Sequence, residues 1–357
     1  MDVYQITREE WILNTFPEWG NWLHEEIDST VVKPGTFAMW WLGCTGVWVK
    51  TEGDCNLAVD MWAGRGKITH STEHMPEEIH GEKFQLHRMT GSRELFPNQR
   101  NIPVVFDPFA ITKVDALLAT HNHRDHMDPY VTGAILQKFP EAVFIGPKFS
   151  ERKWLSWGVP QERIRCVKPG DSIRIKDTVI HVVESFDRTV ALTAPPVGDL
   201  AGWCPTDMDD RTVNYVIETP GGSLYHSGDS HFSNYYRKHG KQFKIDVALA
   251  SYGENAPGMT DKLNASDVLR MAENLDCRVI IPVHYETWTC MLANPQEILE
   301  LYRLRKDRMK YGFKPYIWQI GGRFVYPDNR DDMEFMYYRG FSDAFEREPN
   351  IPFKAYL

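Results

Sequence analysis

Short apolar runs broken by polar turns recur along most of the chain, and their lengths suit strands more often than helices. Residues 36–42, 47–51 and 56–62 read as strands, the first two joined across Gly43-Cys44-Thr45-Gly46 as a hairpin. Strand character resumes at 104–106, 114–120, 142–146, 164–167, 172–175 and 179–184. Runs at 214–219 and 223–226 flank Pro220-Gly221-Gly222, a second hairpin signal, and 245–251, 278–283 and 317–320 complete the set. Helical pattern marks the first 30 residues, where Thr7 caps, Glu10 sits three positions on as in a capping box, and Trp11, Phe16, Trp19 and Trp22 offer apolar contacts. Further helices are expected at 129–139, 265–275 and from Pro295 to about Lys310. Strands come in meanders with helices interspersed, in two broad halves. That order predicts a layered α/β sandwich rather than a parallel doubly wound sheet.

One domain over 1–357 is expected, with a helical extension at 1–35. Residues 63–103 are polar and aperiodic, too long for an ordinary loop, and read as an insertion or lid. Residues 194–211 form a loop rich in Pro, Gly and Asp. A hydrophobic share of 42% suffices for a sizeable core, and 12 Trp suit large packed faces and contacts in a homo-oligomer. The net charge of −9 disfavours nucleic acid as a partner. Six cysteines form no C-x-x-C pair, so they indicate neither a zinc knuckle nor a disulfide framework, and most read as small hydrophobes. No secretory signal or membrane-length apolar stretch is visible, and a cytoplasmic location away from the membrane is expected.

The chemistry concentrates in His121-Asn122-His123-Arg124-Asp125-His126, directly after the apolar run 114–120. Imidazoles and a carboxylate packed together at a strand end each carry a desolvation cost. A divalent cation turns them into one N/O donor set. Other polar residues fall at the same structural position, just past strands: Asp60, Asp187, Asp229 and His284. Each alone has an ordinary explanation as a turn residue, a cap or a satisfied buried histidine; their recurrence at strand ends is what argues for a site. His226 and His231, around Asp229, are expected to support it from behind, as is Asp60. There is no G-x-S-x-G elbow and no P-loop; Gly64-Arg65-Gly66-Lys67 reads as a turn.

HNHRDH resembles the H-x-H-x-D-H signature of the metallo-β-lactamase superfamily, with Asp60 before it and Asp229 and His284 after it. The stretches TFAMWWLGCTG (36–46), DPFAI (107–111), GGSLYHSGDSH (221–231), SYGEN (251–255) and KYGFKP (310–315) further resemble the L-ascorbate-6-phosphate lactonases over nearly the whole length. The resemblance implies a four-layer αββα sandwich. It also implies that His121 and His123 hold one metal, that Asp125, His126 and His284 face a second, and that Asp229 sits between. Where the superfamily usually places a third histidine, Ser185-Phe186-Asp187-Arg188-Thr189 carries Asp187. A carboxylate there hardens the site and favours Mn²⁺ over Zn²⁺.

The implied activity is metal-dependent opening of the lactone of L-ascorbate 6-phosphate to 3-keto-L-gulonate 6-phosphate, with Asp125 and Asp229 as the carboxylates that handle water. The partner would be a small phosphorylated sugar-acid lactone. Arg188, beside Asp187, suits its phosphate. Arg211 and Lys262 are weaker candidates, more readily read as solvated surface charges. A phosphodiesterase or ribonuclease on the same scaffold is the competing activity. A non-catalytic metal-binding protein is the competitor from another class.

Overall fold

In the computed structural model, residues 2–15, 17, 22–64, 100–187, 207–253, 262–288 and 292–335 are described. Two seven-stranded sheets carry the fold. The first contains β1 (Phe37–Gly43), β2 (Gly46–Thr51), β3 (Asn56–Val59), β4 (Ala116–Leu118), β5 (Val143–Gly146) and β6 (Ile164–Cys166). The second contains β7 (Ser172–Ile175), β8 (Thr178–Glu184), β9 (Val213–Thr219), β10 (Gly222–His226), β11 (Val247–Ser251), β12 (Val279–Val283) and β13 (Lys314–Pro315). β14 (Arg323–Tyr326) returns to the first sheet, so the orders are β14-β1-β2-β3-β4-β5-β6 and β13-β12-β11-β10-β9-β8-β7. The halves inferred from the sequence are these two sheets.

The pairing explains why ligands can gather at one edge. β2 runs antiparallel to both β1 and β3, and β4 runs parallel to β3. β1, β3 and β4 therefore end at the same edge of the first sheet. In the second sheet β8 and β10 flank β9 antiparallel, and β10, β11 and β12 are parallel to one another. β8, β10, β11 and β12 consequently end together as well. Cross-sheet bonds hold the two edges in register: Val213 N donates to Thr120 O (3.0 Å), His284 N to Cys44 O (3.1 Å) and Tyr215 Oη to Ala119 O (2.8 Å).

Helices cover the outer faces. Lys148–Ser156 lies over β5 and β6, with Trp154 set edge-on against Phe144. Ala265–Leu275 buries Val268, Leu269, Met271, Ala272 and Leu275 over β11 and β12. It is capped by Asn264, which accepts from Asp267 N. The layers are thus helix, sheet, sheet, helix. At the N-terminus, Glu10 N donates to Thr7 Oγ1 (3.1 Å), as the capping pattern predicts.

Several expectations are corrected. The 56–62 strand stops at Val59, because Asp60 takes φ 47° and turns the chain. Val104–Phe106 is buried but pairs with no strand, and Ile317–Ile320 contributes one bridge, Ile317 with Glu334, in place of a strand. The late pairing goes instead to β13 and β14. The helices Lys148–Ser156 and Tyr236–Gln242 did not stand out in the apolar pattern. The first buries Glu151 and Lys153 beside Phe149 and Trp154, which breaks the usual amphipathic contrast. Of the polar stretch 63–103, only its ends are described. There the buried Arg100 donates to the carbonyls of Gly64 (2.9 Å), Ile102 (3.1 Å) and Pro103 (3.2 Å).

Candidate metal centre

Asp60 is the anchor. It is fully buried, and its Oδ1 accepts from Thr120 N (2.7 Å). Its Oδ2 accepts from Thr45 Oγ1 (2.9 Å), Thr120 Oγ1 (2.7 Å) and His126 Nδ1 (2.8 Å). These bonds set the imidazoles. The single hydroxyl proton of Thr120 is spent on Asp60, so the Thr120 oxygen accepts from His121 Nδ1 (3.0 Å). Both His121 and His126 therefore carry N–H at Nδ1 and can present Nε2 inward, as a ligand atom for a metal. Gly228 (φ 49°) lets the second sheet's turn approach: a Cβ there would lie 2.8 Å from Thr120 Oγ1.

Two donor groups result, the members of each lying within 4.8 Å of one another: His121, His123 and Asp229; and Cys44, Asp125, His126 and His284. Asp229 Oδ1 lies 3.4 Å from both His126 Nε2 and His284 Nε2, so it stands between the groups. Asp187 Oδ2 is 3.9 Å from His121 Nε2, at the outer side of the first group. Asp125 Oδ2 accepts from Trp288 Nε1 (2.9 Å) and lies 3.5 Å from His284 Nε2. The sequence-derived residues His121, His123, Asp125, His126, Asp187, Asp229 and His284 are thus brought to one edge.

Among the described residues, four buried carboxylates, Asp60, Asp125, Asp187 and Asp229, meet three buried groups that favour the cationic form: Lys262, whose Nζ donates to Asp229 Oδ2 at 2.6 Å, His126, and His284, which against its burial is pushed up to about 10 by the surrounding anions. Burial alone would drive the Asp125 and Asp229 carboxyls up, but their cationic neighbours outweigh it. Among these are His126 for Asp125 and Lys262 for Asp229, and both acids end well below the usual carboxylate range. Burial pushes His126 down, but Asp229 and the other surrounding anions push it well above the usual imidazole range. Burial and the neighbouring His126 and His123 hold His121 well below that range, leaving it neutral. His121 Nε2 and both nitrogens of His284 are buried without a hydrogen bond. Buried carboxylates in excess, with unsatisfied imidazole nitrogens aimed among them, fit a divalent cation.

The chain matches the family described as "Beta-lactamase superfamily domain" over residues 39–284. The chain belongs to the β-lactamase superfamily. It is 54% identical over 356 residues to the "Probable L-ascorbate-6-phosphate lactonase UlaG" of Escherichia coli O127:H6 (strain E2348/69 / EPEC), with 99% of each chain covered. The protein of the same name from Escherichia coli O157:H7 (strain EC4115 / EHEC) is likewise 54% identical, again over 99% of each chain. The crystal structure of a possible metal-dependent hydrolase from Veillonella parvula DSM 2008 superposes with TM-score 0.56 at 14% identity, over 80% of this chain and 98% of that one. An isothiocyanate hydrolase from Delia radicum gut bacteria gives TM-score 0.56 at 17% identity, with the same coverage. These two likenesses show the fold alone.

Within that fold the remaining sequence-derived residues divide. Asp60 supports the ligands from behind, as expected. His226 is also behind the site, but as a structural bond: its Nε2 donates to Thr45 O (2.9 Å), and its Nδ1 accepts from Gly228 N (3.2 Å). His231 is buried yet belongs to neither donor group. Arg211 and Lys262 are not solvated surface charges. Arg211 is buried with its guanidinium 5.7 Å from the Phe149 ring centre, and Lys262 is 2% exposed and bound to Asp229. Arg188 lies outside the described residues. Sequence reasoning missed Cys44, Thr45, Thr120 and Trp288. Cys44 reads locally as a small hydrophobe, and its place in a turn at a strand end is the available signal.

Proposed function

We propose that this protein is a metal-dependent lactonase that opens L-ascorbate 6-phosphate to 3-keto-L-gulonate 6-phosphate. The observation that carries the chemistry is the meeting of HNHRDH with Asp229 and His284 at one edge, with bare imidazole nitrogens among excess carboxylates. Support for the substrate comes from the 54% identical relative that bears the lactonase name over its full length. His121, His123 and Asp229, with Asp187 beside them, would hold one cation, and Asp125, His126 and His284 a second. A bound divalent cation there supplies Lewis acidity and a water of lowered pKa. Asp187 in place of an imidazole favours Mn²⁺ over Zn²⁺.

Hydrolysis adds water across the lactone acyl C–O bond. A new C–O bond forms at the carbonyl carbon, the ring oxygen leaves, and that oxygen takes a proton. Asp125 and Asp229 are the carboxylates placed to orient water and accept its proton. Asp229 is held strongly anionic by Lys262, which suits it to bridging charge; Asp125, slightly more open, suits proton transfer better. Trp288 orients Asp125 from outside the donor groups. Asp60 fixes the tautomer of His126. Arg188, next to Asp187 in the chain, is the residue we assign to the phosphate. Arg188→Ala should raise KM for phosphorylated lactones about tenfold or more and leave unphosphorylated lactones unchanged; equal effects would remove that role.

The test is hydrolysis of L-ascorbate 6-phosphate beside bis-p-nitrophenyl phosphate by chelated protein given back Mn²⁺ or Zn²⁺. Lactone turnover restored best by Mn²⁺ is the expected result. Turnover of the diester alone would favour the phosphodiesterase reading, and metal uptake with no turnover of either would favour a binding protein.

A further inference from the structure

Cys44 sits at the tip of the β1–β2 hairpin, fully buried, with φ 54°. Its carbonyl accepts from Trp41 Nε1 (2.8 Å) and from His284 N (3.1 Å), so its backbone is tied both to its own sheet and to the end of β12. The thiol faces the second donor group. Its sulfur lies 3.6 Å from Asp125 Oδ2 and 3.8 Å from His126 Nε2. His126 Nε2 lies 3.8 Å from Asp125 Oδ1, and His284 Nε2 lies 3.5 Å from Asp125 Oδ2. Donors about 2.0–2.3 Å from one tetrahedral ion stand about 3.3–3.6 Å apart. The thiol, carboxylate and imidazoles approach that spacing. The second, independent sign is His284, whose two ring nitrogens are buried without a hydrogen bond in the same group.

We propose that Cys44 is a thiolate ligand of the cation held by Asp125, His126 and His284. The two positions are then chemically unequal. The first, with His121, His123, Asp229 and Asp187, is hard and suits Mn²⁺. The second carries one sulfur and suits a borderline ion such as Zn²⁺ or Co²⁺. As the sulfur–metal bond forms, the thiol proton leaves to solvent, so loading this position releases one more proton than an all-N/O set would. The inference rests on the metal centre of the proposed function but not on the substrate.

The probe is Co²⁺ alone, titrated into the metal-free full-length protein. The expected result is a thiolate-to-Co²⁺ charge-transfer band in the near ultraviolet, saturating at one band per chain. Cys44→Ser should lose that band while keeping the visible Co²⁺ absorption of the first position. In case the variant does not fold, X-ray absorption of the wild-type protein carrying two equivalents of Zn²⁺ gives a second readout. It should show a sulfur neighbour at about 2.3 Å at roughly half a sulfur per zinc. A band that survives in folded Cys44→Ser, or a purely N/O shell in the wild type, overturns the proposal and leaves the hydrolase reading standing. Failure of the wild type to bind Co²⁺ or Zn²⁺ overturns the proposal, and failure to bind Mn²⁺ as well overturns both.

Discussion

The two sheets supply the centre in opposite ways. The first sheet delivers a compact block: His121, His123, Asp125 and His126 from one loop after β4, braced by Asp60 after β3 and Cys44 in the β1–β2 turn. The second sheet delivers single residues, Asp187, Asp229 and His284, each from the end of a different strand. One side is a local chelate whose geometry follows from a single loop. The other depends on the register of β8, β10, β11 and β12 and on the bonds that clamp the sheets together. Damage to the first side should therefore remove binding with little effect on the fold. Damage to the second should couple binding to stability.

The sharpest test of that contrast is His123→Ala. Losing a group that only orients a ligand costs about 10–100-fold, and losing the ligand itself costs more, roughly 1000-fold or beyond in kcat/KM. The unfolding midpoint of the metal-free variant should match wild type. A large drop in that midpoint would mean the HNHRDH loop is part of the structural frame and the contrast is wrong.

Lys262→Met probes the second side. Lys262 is the buried partner of Asp229, and breaking such a pair costs about 3–5 kcal/mol because a buried charge is left uncompensated. The loss should appear in denaturant unfolding of the metal-free protein. It should shrink by at least half once metal is bound, since the cation then faces Asp229. An equal loss with and without metal would show that Lys262 supports the fold independently of the centre.

The same contrast explains what could be read from the sequence. HNHRDH was legible because its donors are neighbours in the chain, and the alternating apolar runs gave most strands to within a residue or two. Asp229 and His284 were legible only because each follows a clear buried strand. Arg211 and Lys262 were misread: nothing local tells a buried cation from a solvated one when its partner is 33 residues away, as Asp229 is from Lys262. Cys44 was missed for a related reason. A lone cysteine between buried strands looks apolar until the other sheet edge is brought against it. β14 escaped notice because its partner, β1, is nearly the whole chain away.

Asp60→Asn makes a smaller demand on the comparison. The amide can still accept from Thr120 N, but it no longer offers a carboxylate to His126 Nδ1. Activity should fall about 10–100-fold, and metal affinity at the His126 position should fall while the His121 and His123 position keeps its own. Competition with a fluorescent chelator would resolve the two affinities. Uniform weakening of both positions would mean Asp60 acts through the shared Thr120 rather than through His126.

The smallest expected effect on the metal centre lies away from both ligand edges and serves as their baseline. His24, in the helix Trp22–Ser29, is buried with its ring centre 3.8 Å from that of Phe106. Burial lowers it from the ordinary 6.5 to about 4, against the pull of Asp107. The folded state thus binds this proton less readily than the unfolded state. Its contribution is complete above pH 6.5 and is lost as pH falls toward 4, on the order of 3 kcal/mol. Unfolding of the metal-free protein between pH 7 and about 4 should show this slope. His24→Phe, which keeps a ring against Phe106, should flatten it. Because neither sheet's donors are altered, metal affinity at neutral pH should be unchanged in the variant. A drop in affinity would show that the N-terminal helices brace the centre, and that the division between a local chelate and a register-dependent edge omits a third support.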